Sequence, residues 1–566
     1  MQERFAKLGV KDAIIHPFAF AMFPVLSLYA KNMGEGFLRE AVSIALALVV
    51  CAVLLWLLVG LLVKNKNKSS ILVSVFCVLF FSYGHAISAF RAILEQMDVL
   101  DEARFLVEGR PALLAWLAIW VVIFAAVSYF TVRLKNDLRP VTSFLNIVAL
   151  ALVVIVGTNI AIGGGNMYLM PRFRANAKPS ADADQFSDSP PATVAPADEG
   201  RDDFDLAEFK NSWQQDIPSG DVASSSLPDI YYIIVDAYAR ADILEEIYQF
   251  NNSEFLSYLT EKGFYIADKS VSNYPQSQLS LASSLNFMYL DGLAAQMGAE
   301  SDNRQPLQVM IKNNKTFHFL RRYGYSILAF SSGYEATEIT DADIYMAPPE
   351  QWDISEFQEA LVMLTPLSVF QETFFDVRRN RVTYAFDHVA EATQVDGPVF
   401  VFVHIIVPHW PFIFDADGRP IEPRNGIGMR ADYEYDEFIA GYRGQLAFVN
   451  EGLKTAIDEI LAQSSDPPII IVHADHGPDA KLDYGGWNIE KSYLPERMSI
   501  FNAYYFPDQG YEDLYKSITP VNTFRVVLNN YFGVDYALLE DKSYFATWEH
   551  PYLFTDVTDE VMLSSN

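Results

Sequence analysis

The chain has few cysteines and, over most of its length, few basic residues. Only two of the 566 residues are cysteine, Cys51 and Cys77, and both lie in apolar runs, so the rest of the chain cannot form a disulfide. Residues 1–170 hold 14 Lys and Arg against 10 Asp and Glu, whereas the remainder holds 27 against 61. Because phosphate binding by nucleic-acid-binding proteins needs basic patches, the acidic remainder predicts that nucleic acid is not a partner.

Charged residues are also absent from long stretches near the start of the chain. Five apolar runs, at about 14–31, 41–63, 70–90, 112–132 and 141–163, approach the roughly 20 residues that span a bilayer. Their only ionisable interior residues are His16 and His85, which favours a membrane anchor over a transport pathway. The sequence predicts a membrane domain at 1–165, a flexible linker rich in Ala, Ser, Pro and Asp at 166–227, and a further domain at 228–566.

The loops between the predicted spans indicate their orientation. Basic residues concentrate at 64–68 and 133–139, whereas the loop at 91–111 is rich in acidic residues. Short basic loops stay in the cytoplasm. An odd number of spans therefore places everything after Gly165 outside the cytoplasm.

Apolar, mostly β-branched runs alternate with helical spacing after residue 228. The runs that predict strands are 229–236, 263–267, 325–330, 399–406, 469–476 and 499–506, and the segments that predict helices are 239–260, 278–290, 307–323, 354–395 and 433–463. This alternation is typical of an α/β domain with a mainly parallel central sheet. In such sheets the ligand site lies beyond the carboxyl ends of the strands.

Two predicted strands end in carboxylates. Asp236 follows the first apolar run, and a buried carboxylate is costly unless it is paired or metal-bound. Taken alone, this residue is better explained as an N-cap of the predicted helix at 239–260. The run Ile469–Val472 leads to Asp475-His476-Gly477. A carboxylate and an imidazole side by side can bind one divalent cation, and Gly477 lets the backbone turn sharply behind them.

A serine and further histidines complete the set of candidates. Ser277 stands at the predicted start of a helix, where free N–H groups favour an anion, although a plain N-cap serine fits the same position. The fourth strand runs into His404 and is followed by His409. With His473 and His476, four of the nine histidines thus lie at two strand ends, which indicates a site rather than isolated core residues.

Together these residues resemble the alkaline phosphatase/sulfatase superfamily. With five spans before them, they are most similar to its membrane-anchored branch, which includes lipoteichoic acid synthase, periplasmic phosphoglycerol transferases and lipid A phosphoethanolamine transferases. The resemblance implies an extracytoplasmic catalytic domain on the bacterial cytoplasmic (inner) membrane. It also implies that Asp236, Ser277, Asp475 and His476 bind a divalent metal, with Ser277 as the nucleophile.

The resemblance extends to substrate contacts and cofactors. It implies that His409, and less clearly His404, contacts the substrate phosphate; Arg240 could support the site or be a surface cation. One divalent ion is implied, Mn, Zn or Mg. No full ligand set for a second ion is evident, although His473 or His404 could contribute to one.

Two departures from the family pattern bear on the reaction. The related transferases use threonine as the nucleophile, where this chain has Ser277. Sulfatases require a Cys/Ser-x-Pro-x-Arg motif for maturation to formylglycine, whereas Gln-Leu-Ser-Leu follows Ser277 here. Ordinary sulfatase action is therefore not expected.

Three functions remain open from the sequence. The first is a transferase that moves phosphoglycerol or phosphoethanolamine from a membrane phospholipid donor to a glycan or lipid acceptor of the cell envelope. The second is a membrane-tethered phosphodiesterase or sulfatase-like hydrolase that uses water as the acceptor. The third is a catalytically silent surface protein. The same residues serve the first two functions, and the intact set of candidate residues disfavours the third.

Overall fold

The computed structural model describes residues 13–97, 99–161, 227–349, 354–421, 433–483 and 487–563. The predicted linker at 166–227 lies outside these residues, apart from Leu227. Eighteen α-helices and nine strands occur in the described parts of the chain. The helices are α1 His16–Lys31, α2 Leu38–Val63, α3 Lys66–Gln96, α4 Leu100–Ala103, α5 Gly109–Arg133, α6 Arg139–Ala161, α7 Ala241–Glu246, α8 Ser253–Glu261, α9 Ser277–Ser284, α10 Asp291–Met297, α11 Gln305–Lys312, α12 Lys315–Arg322, α13 Glu356–Met363, α14 Gln371–His388, α15 Tyr435–Gln463, α16 Leu494–Met498, α17 Pro520–Phe532 and α18 Thr558–Leu563.

The five predicted spans correspond to helices α1, α2, α3, α5 and α6, which we call the membrane helices. Within the described residues, four of them, α2, α3, α5 and α6, are long and apolar enough to cross a membrane. Helix α1 has only 16 residues, too few to cross unaided at about 1.5 Å per residue. It packs against α2, α3 and α6, so neighbouring helices cover it.

Residues from Leu227 onward form the α/β domain, built on a seven-stranded sheet. Its strands are β1 Ile230–Val235, β2 Tyr265–Ile266, β3 Ser326–Phe330, β4 Ile344–Met346, β5 Val399–Ile405, β6 Ile469–His473 and β7 Asn502–Tyr505, in the order β2-β7-β6-β1-β5-β3-β4. The five strands from β6 to β4 run parallel. Strand β7 pairs antiparallel with β6, and β2 pairs antiparallel with β7, so among the seven strands β7 runs against the other six. A small hairpin, β8 Tyr544–Phe545 with β9 Thr555–Asp556, lies apart from the sheet. The predicted mainly parallel sheet is confirmed.

Strand β1 is central because both of its faces are apolar. Tyr231, Ile233 and Val235 face one core, packed by residues of α14 and α15 among others. Their alternating neighbours, Ile230, Tyr232 and Ile234, face the other core, which includes residues of α9, α11, α12 and α17. Helices on both faces are what a buried parallel sheet requires. The run of six buried residues in β1 therefore places the end of this strand deep within the domain.

Some predicted helices are broken, and short strands were missed. The segment 239–260 forms α7 and α8, with Asn251 and Asn252 between them, and 354–395 is interrupted at Pro366, whose ring and missing N–H disfavour a helix interior. Strands β4, β8 and β9 have only two or three residues each. Runs of that length carry too little alternation to be predicted.

The α/β domain packs directly on the loop between α1 and α2 and on the first turn of α2. The ring of Phe37 lies 5.4 Å from that of Phe357, and Ser355 donates a hydrogen bond to Glu40 at 2.5 Å. A Cβ at Gly34, in the loop between α1 and α2, would lie 2.4 Å from the carbonyl oxygen of Asp302. The two parts of the protein therefore share a close-packed interface.

Candidate active site

The site lies at the carboxyl ends of three adjacent strands. Strands β5, β1 and β6 are neighbours and parallel, with Ile234 of β1 opposite both His404 of β5 and His473 of β6. Asp236 directly follows β1, and Asp475 lies two residues beyond β6. Because parallel strands end at the same edge of the sheet, these side chains converge, as the sequence analysis expected.

Three of these side chains form a cluster that could hold a metal ion. Asp236, His404 and Asp475 are buried, and each offers a ligand atom within 4.8 Å of the others. Nε2 of His476 lies 3.5 Å from Oδ1 of Asp236 and 3.5 Å from Oδ2 of Asp475. The predicted ligands Asp236, Asp475 and His476 are thus brought together, with His404 as an additional donor that the resemblance assigned to substrate.

The cluster has buried polar atoms without partners. Among the described residues, Asp236 Oδ1, Asp475 Oδ2 and His404 Nε2 make no hydrogen bond. A buried polar atom left unpaired costs about 1–3 kcal/mol, and more when it is charged. Three such atoms facing one another are unfavourable in a site that stays empty.

The protonation state of His476 also indicates that the cluster is suited to a cation. Its Nδ1 lies 2.9 Å from the carbonyl oxygen of Gly477, which can only accept a hydrogen bond, so Nδ1 carries the proton. Burial and the nearby Arg497 lower the pKa of His476 to about 3, and the ring is neutral at pH 7. The lone pair of Nε2 therefore faces carboxylate oxygens, an arrangement that becomes favourable around a cation.

The two carboxylates lie close together in a region of low polarity. Burial raises the pKa of Asp236 well above its usual range, and the neighbouring Asp475 raises it further, whereas Arg497 lowers it. Burial also lowers the pKa of His404 to about 4, so this imidazole supplies no positive charge at neutral pH. A divalent cation fits this donor set of carboxylates and neutral imidazoles in charge and in chemistry.

Ser277 is the first residue of α9, and its hydroxyl faces the cluster. Its Oγ lies 3.1 Å from Nε2 of His476. Gln276, rather than Ser277, is the N-cap residue, and its side chain makes no capping hydrogen bond. The plain N-cap interpretation of Ser277 is therefore wrong, and the hydroxyl stands where a nucleophile or a ligand would.

The remaining histidines differ in their surroundings. His473 binds the Tyr232 hydroxyl through Nε2 and the Ala474 carbonyl through Nδ1, both at 2.7 Å, so both of its ring nitrogens are used within the core. His409 binds the Trp410 carbonyl through Nδ1 at 2.5 Å, and its ring lies 6.1 Å from that of His476. His409 thus stands beside the cluster, whereas His473 supports the sheet.

Arg240 is not a surface cation. Its side chain is 3% exposed, pairs with Asp242 at 2.7 Å and donates to the Ser270 carbonyl at 3.2 Å. Arg240 is thus a buried arginine paired with the half-exposed Asp242, and a role in substrate binding stays a prediction.

Two residues of α15 position the site from behind. The Tyr442 hydroxyl donates to the Ala237 carbonyl at 2.8 Å and accepts from the Ala239 N–H at 3.1 Å. This fixes the turn after Asp236, where Ala237 has φ of 61°, a left-handed conformation that is costly for a residue with a side chain. Gln445 donates to the His409 carbonyl at 2.9 Å. The sequence analysis placed both residues in the predicted helix at 433–463, where helical spacing by itself indicates packing and no role in the site.

Arg497 connects the loop before Ser277 to the loop that follows β6 and carries Asp475 and His476. Its Nε donates to the Pro275 carbonyl at 2.8 Å, and Nη1 donates to the Gly477 carbonyl at 3.0 Å. A Cβ at Gly477 would lie 2.0 Å from the Glu496 carbonyl oxygen. Close approach of the two backbones, rather than a sharp turn, therefore explains the glycine.

A membrane-helix loop reaches the residues on either side of Ser277. Arg304 is 2% exposed and donates to Gln276 Oε1 at 2.8 Å. Glu35, in the loop between α1 and α2, accepts from Gln278 Nε2 at 2.9 Å and lies 3.4 Å from Arg304 Nε. Helix α9, which begins at Ser277, is thus held from both parts of the protein, a link over some 240 residues that no local sequence signal shows.

The sequence profile of the Sulfatase family matches residues 228–526, which is more than half of the chain. This protein belongs to the sulfatase family. The matched segment contains every residue of the site described above except Glu35. The superfamily resemblance inferred from the sequence is confirmed.

Several solved structures resemble parts or most of the chain. The zinc complex of the C-terminal periplasmic domain of EptC from Escherichia coli is 12% identical and has a TM-score of 0.41, covering 60% of this chain and 96% of that chain. The integral membrane lipooligosaccharide phosphoethanolamine transferase A from Neisseria meningitidis is 12% identical and has a TM-score of 0.38, covering 93% of this chain and 94% of that chain. No curated protein sequence matches this chain. At these identities and scores, similarity alone does not assign an activity.

Proposed function

We propose that this sulfatase-family protein is a metal-dependent transferase. It would move phosphoethanolamine or phosphoglycerol from a membrane phospholipid to a glycan or lipid of the cell envelope. The main support is the contact of 3.1 Å between Ser277 Oγ and His476 Nε2, beside a buried cluster suited to a cation. The packing of the α/β domain on the membrane helices adds support, because a phospholipid headgroup lies at that level.

Asp236, Asp475 and His476 would hold a divalent ion, with His404 as a further donor. When bound, the ion would neutralise the phosphate oxygens and lower the pKa of the Ser277 hydroxyl. Mixed carboxylate and imidazole donors suit Mn, Zn or Mg.

In the first step, Ser277 Oγ attacks the phosphorus of the donor. The Oγ–P bond forms as the P–O bond to diacylglycerol breaks, so the substituted phosphate remains on the serine. The proton lost by Ser277 balances the one gained by the leaving alkoxide, and His409 is the side chain we assign to carry it. In the second step an acceptor hydroxyl attacks the same phosphorus, and Ser277 regains its proton.

The basic loops at 64–68 and 133–139 support a cytoplasmic position for those loops. The α/β domain would then lie outside the cytoplasm, where cell-envelope acceptors are found. This sidedness can be tested by adding protease to intact cells or spheroplasts, which would cleave an extracytoplasmic domain.

The decisive experiment uses the full chain reconstituted in vesicles that contain phosphatidylethanolamine and phosphatidylglycerol. We expect release of diacylglycerol and a covalent headgroup adduct on Ser277, detected by peptide mass spectrometry. Ser277→Ala should lose both. Ser280→Ala is the matched control, because Ser280 lies one turn further along the same helix and its buried hydroxyl has no partner among the described residues.

The outcomes separate the open functions. An adduct that decays only when an acceptor is added supports the transferase. An adduct that decays in water without an acceptor would show that the protein is a hydrolase instead. Diacylglycerol release that persists in Ser277→Ala would overturn the assignment of the nucleophile.

A further inference from the structure

One segment of the α/β domain lies against the membrane helices rather than on its own core. Helix α13 ends at Met363, and the chain then bends by 110° into a second helical arm that begins at Pro366. The two arms together are long and apolar enough for a membrane segment with a break in it. Thr365 stabilises the bend by accepting a hydrogen bond from the Leu367 N–H at 3.2 Å.

The bend is fixed to the side of α3. The Gly84 N–H donates to the Leu364 carbonyl at 3.0 Å. A Cβ at Gly84 would lie 2.5 Å from the Met363 carbonyl oxygen and 2.9 Å from Leu364 Cα, so only glycine allows this approach. The 3₁₀ turn Pro366–Phe370 also packs against both α3 and α5.

The position of Gly84 along α3 gives the depth of this contact. Lys68 lies near the start of α3, and it donates to the carbonyls of Val132 and Leu134 at 2.6 and 2.7 Å. The start of α3 and the end of α5 therefore lie at the same level. Gly84 follows Lys68 by 16 residues, or about 24 Å of helix. With the charged Lys68 taken as the near surface of a hydrocarbon core about 30 Å thick, the bend lies below the far surface of that core.

The side chains at the bend suit that depth. Leu367 is 44% exposed and Phe370 is 56% exposed, and both are apolar. The bend packs against α3 and α5. The connection between these two helices carries Phe105, which is 71% exposed, and Leu106, which is 41% exposed. Exposed apolar side chains therefore occur both on this connection between the membrane helices and on the bend of the α/β domain.

We propose that residues 363–370 form a re-entrant segment of the α/β domain, inserted into the membrane leaflet on that domain's side. Leu367 and Phe370 contact lipid acyl chains there, and the polar residues Gln371 and Glu372 mark the return to the interface. Backbone at this depth must be satisfied internally, which the Gly84–Leu364 and Thr365–Leu367 bonds achieve. The inference rests on packing and exposure and is independent of the proposed transferase activity.

The test measures depth directly in the full chain reconstituted in phosphatidylethanolamine/phosphatidylglycerol vesicles. Cys51→Ala removes the exposed cysteine, and Cys77 is buried, so a nitroxide label can be placed at Phe370→Cys or, separately, at Leu367→Cys. Leu538→Cys is the control, an exposed apolar residue of the α/β domain at 40% exposure that lies in the loop after α17. Collision rates with oxygen, which concentrates in lipid, and with a water-soluble nickel chelate report the depth of each label.

We expect the oxygen-to-nickel ratio at positions 370 and 367 to exceed that at position 538 several-fold. Since both side chains are about half exposed, the substitutions remove little packing, and labels at two positions guard against a local disturbance. Ratios at 370 and 367 equal to that at 538 would show that the segment lies in water and would overturn the inference.

Discussion

Asp475 and Glu496 are both carboxylates that the α/β domain buries completely, yet their surroundings differ. Glu496 accepts hydrogen bonds from the Tyr248 hydroxyl and from the N–H groups of Ala480 and Lys481. Asp475 keeps an oxygen without a partner among the described residues. Burial alone therefore does not distinguish these two acids, and the unsatisfied oxygen of Asp475, which faces Asp236 and His404, sets it apart from Glu496.

The largest expected effect comes from Asp475→Asn. Removing a ligand should lower turnover by about 10³-fold or more, measured as diacylglycerol release. The melting temperature in EDTA should change little, because asparagine keeps the Oδ1 that accepts hydrogen bonds from the N–H groups of Ala237 and His476. A clear loss of stability in EDTA would show that Asp475 supports the fold, as Glu496 does.

Glu496→Ala should have the opposite profile. Three donors lose their acceptor, so the free energy of unfolding should fall by about 2–4 kcal/mol, measured by denaturant titration. Turnover per folded molecule should fall far less than in Asp475→Asn. Glu451, which pairs with Lys454 on the surface of α15 at 2.8 Å, provides the control, and Glu451→Ala should change stability by less than about 1 kcal/mol.

Removal of the ion with EDTA should distinguish Asp475, the proposed ligand, from an acid that binds no ion. If the ion binds only the folded protein, saturation at a hundred times its Kd stabilises that protein by about 2.7 kcal/mol. EDTA should therefore lower the melting temperature of the wild type and of Glu451→Ala but leave Asp475→Asn unchanged. An equal response of all three would place the ion elsewhere.

The pH dependence of stability tests the assignment of Glu496 as an acid that supports the fold. Burial raises its pKa from 4.5 to about 7, so the folded state binds more protons than the unfolded state between these values. The contribution of Glu496 to stability is thus fully present below pH 4.5 and is lost as the pH rises through about 7. Glu496→Gln should flatten this part of the curve of melting temperature against pH, and an unchanged slope would contradict the raised pKa.

The smallest effect is expected at the link to the membrane helices. Glu35→Gln removes the charge beside Arg304 and should lower kcat by about 10-fold, with less change in KM and partial recovery in Glu35→Asp. Glu40→Gln is the matched control, because Glu40 bonds Ser355 in the same interface away from Ser277. Equal losses in both variants would indicate a general weakening of the interface rather than positioning of α9.

The sequence predicted the sheet and the converging strand ends because both depend on local pattern. Buried β-branched runs end in Asp236 and in Asp475-His476, and parallel strands bring such ends together. The supporting contacts could not be predicted in this way. Tyr442 lies in an ordinary helical pattern, and its partners at Ala237 and Ala239 are some 200 residues away. Gly477 was predicted from turn chemistry, whereas the neighbouring Glu496 backbone is what excludes a side chain there.

Glycine at positions 34 and 84 has a consequence for how this protein meets its substrate. At both places the α/β domain and the membrane helices approach so closely that a methyl group would not fit. Sliding or lifting of the domain would break these contacts, so the height of Ser277 above the lipid is set by the fold. A lipid substrate must then arrive by lateral diffusion within the leaflet, and encounter becomes a search in two dimensions, governed by surface density rather than bulk concentration.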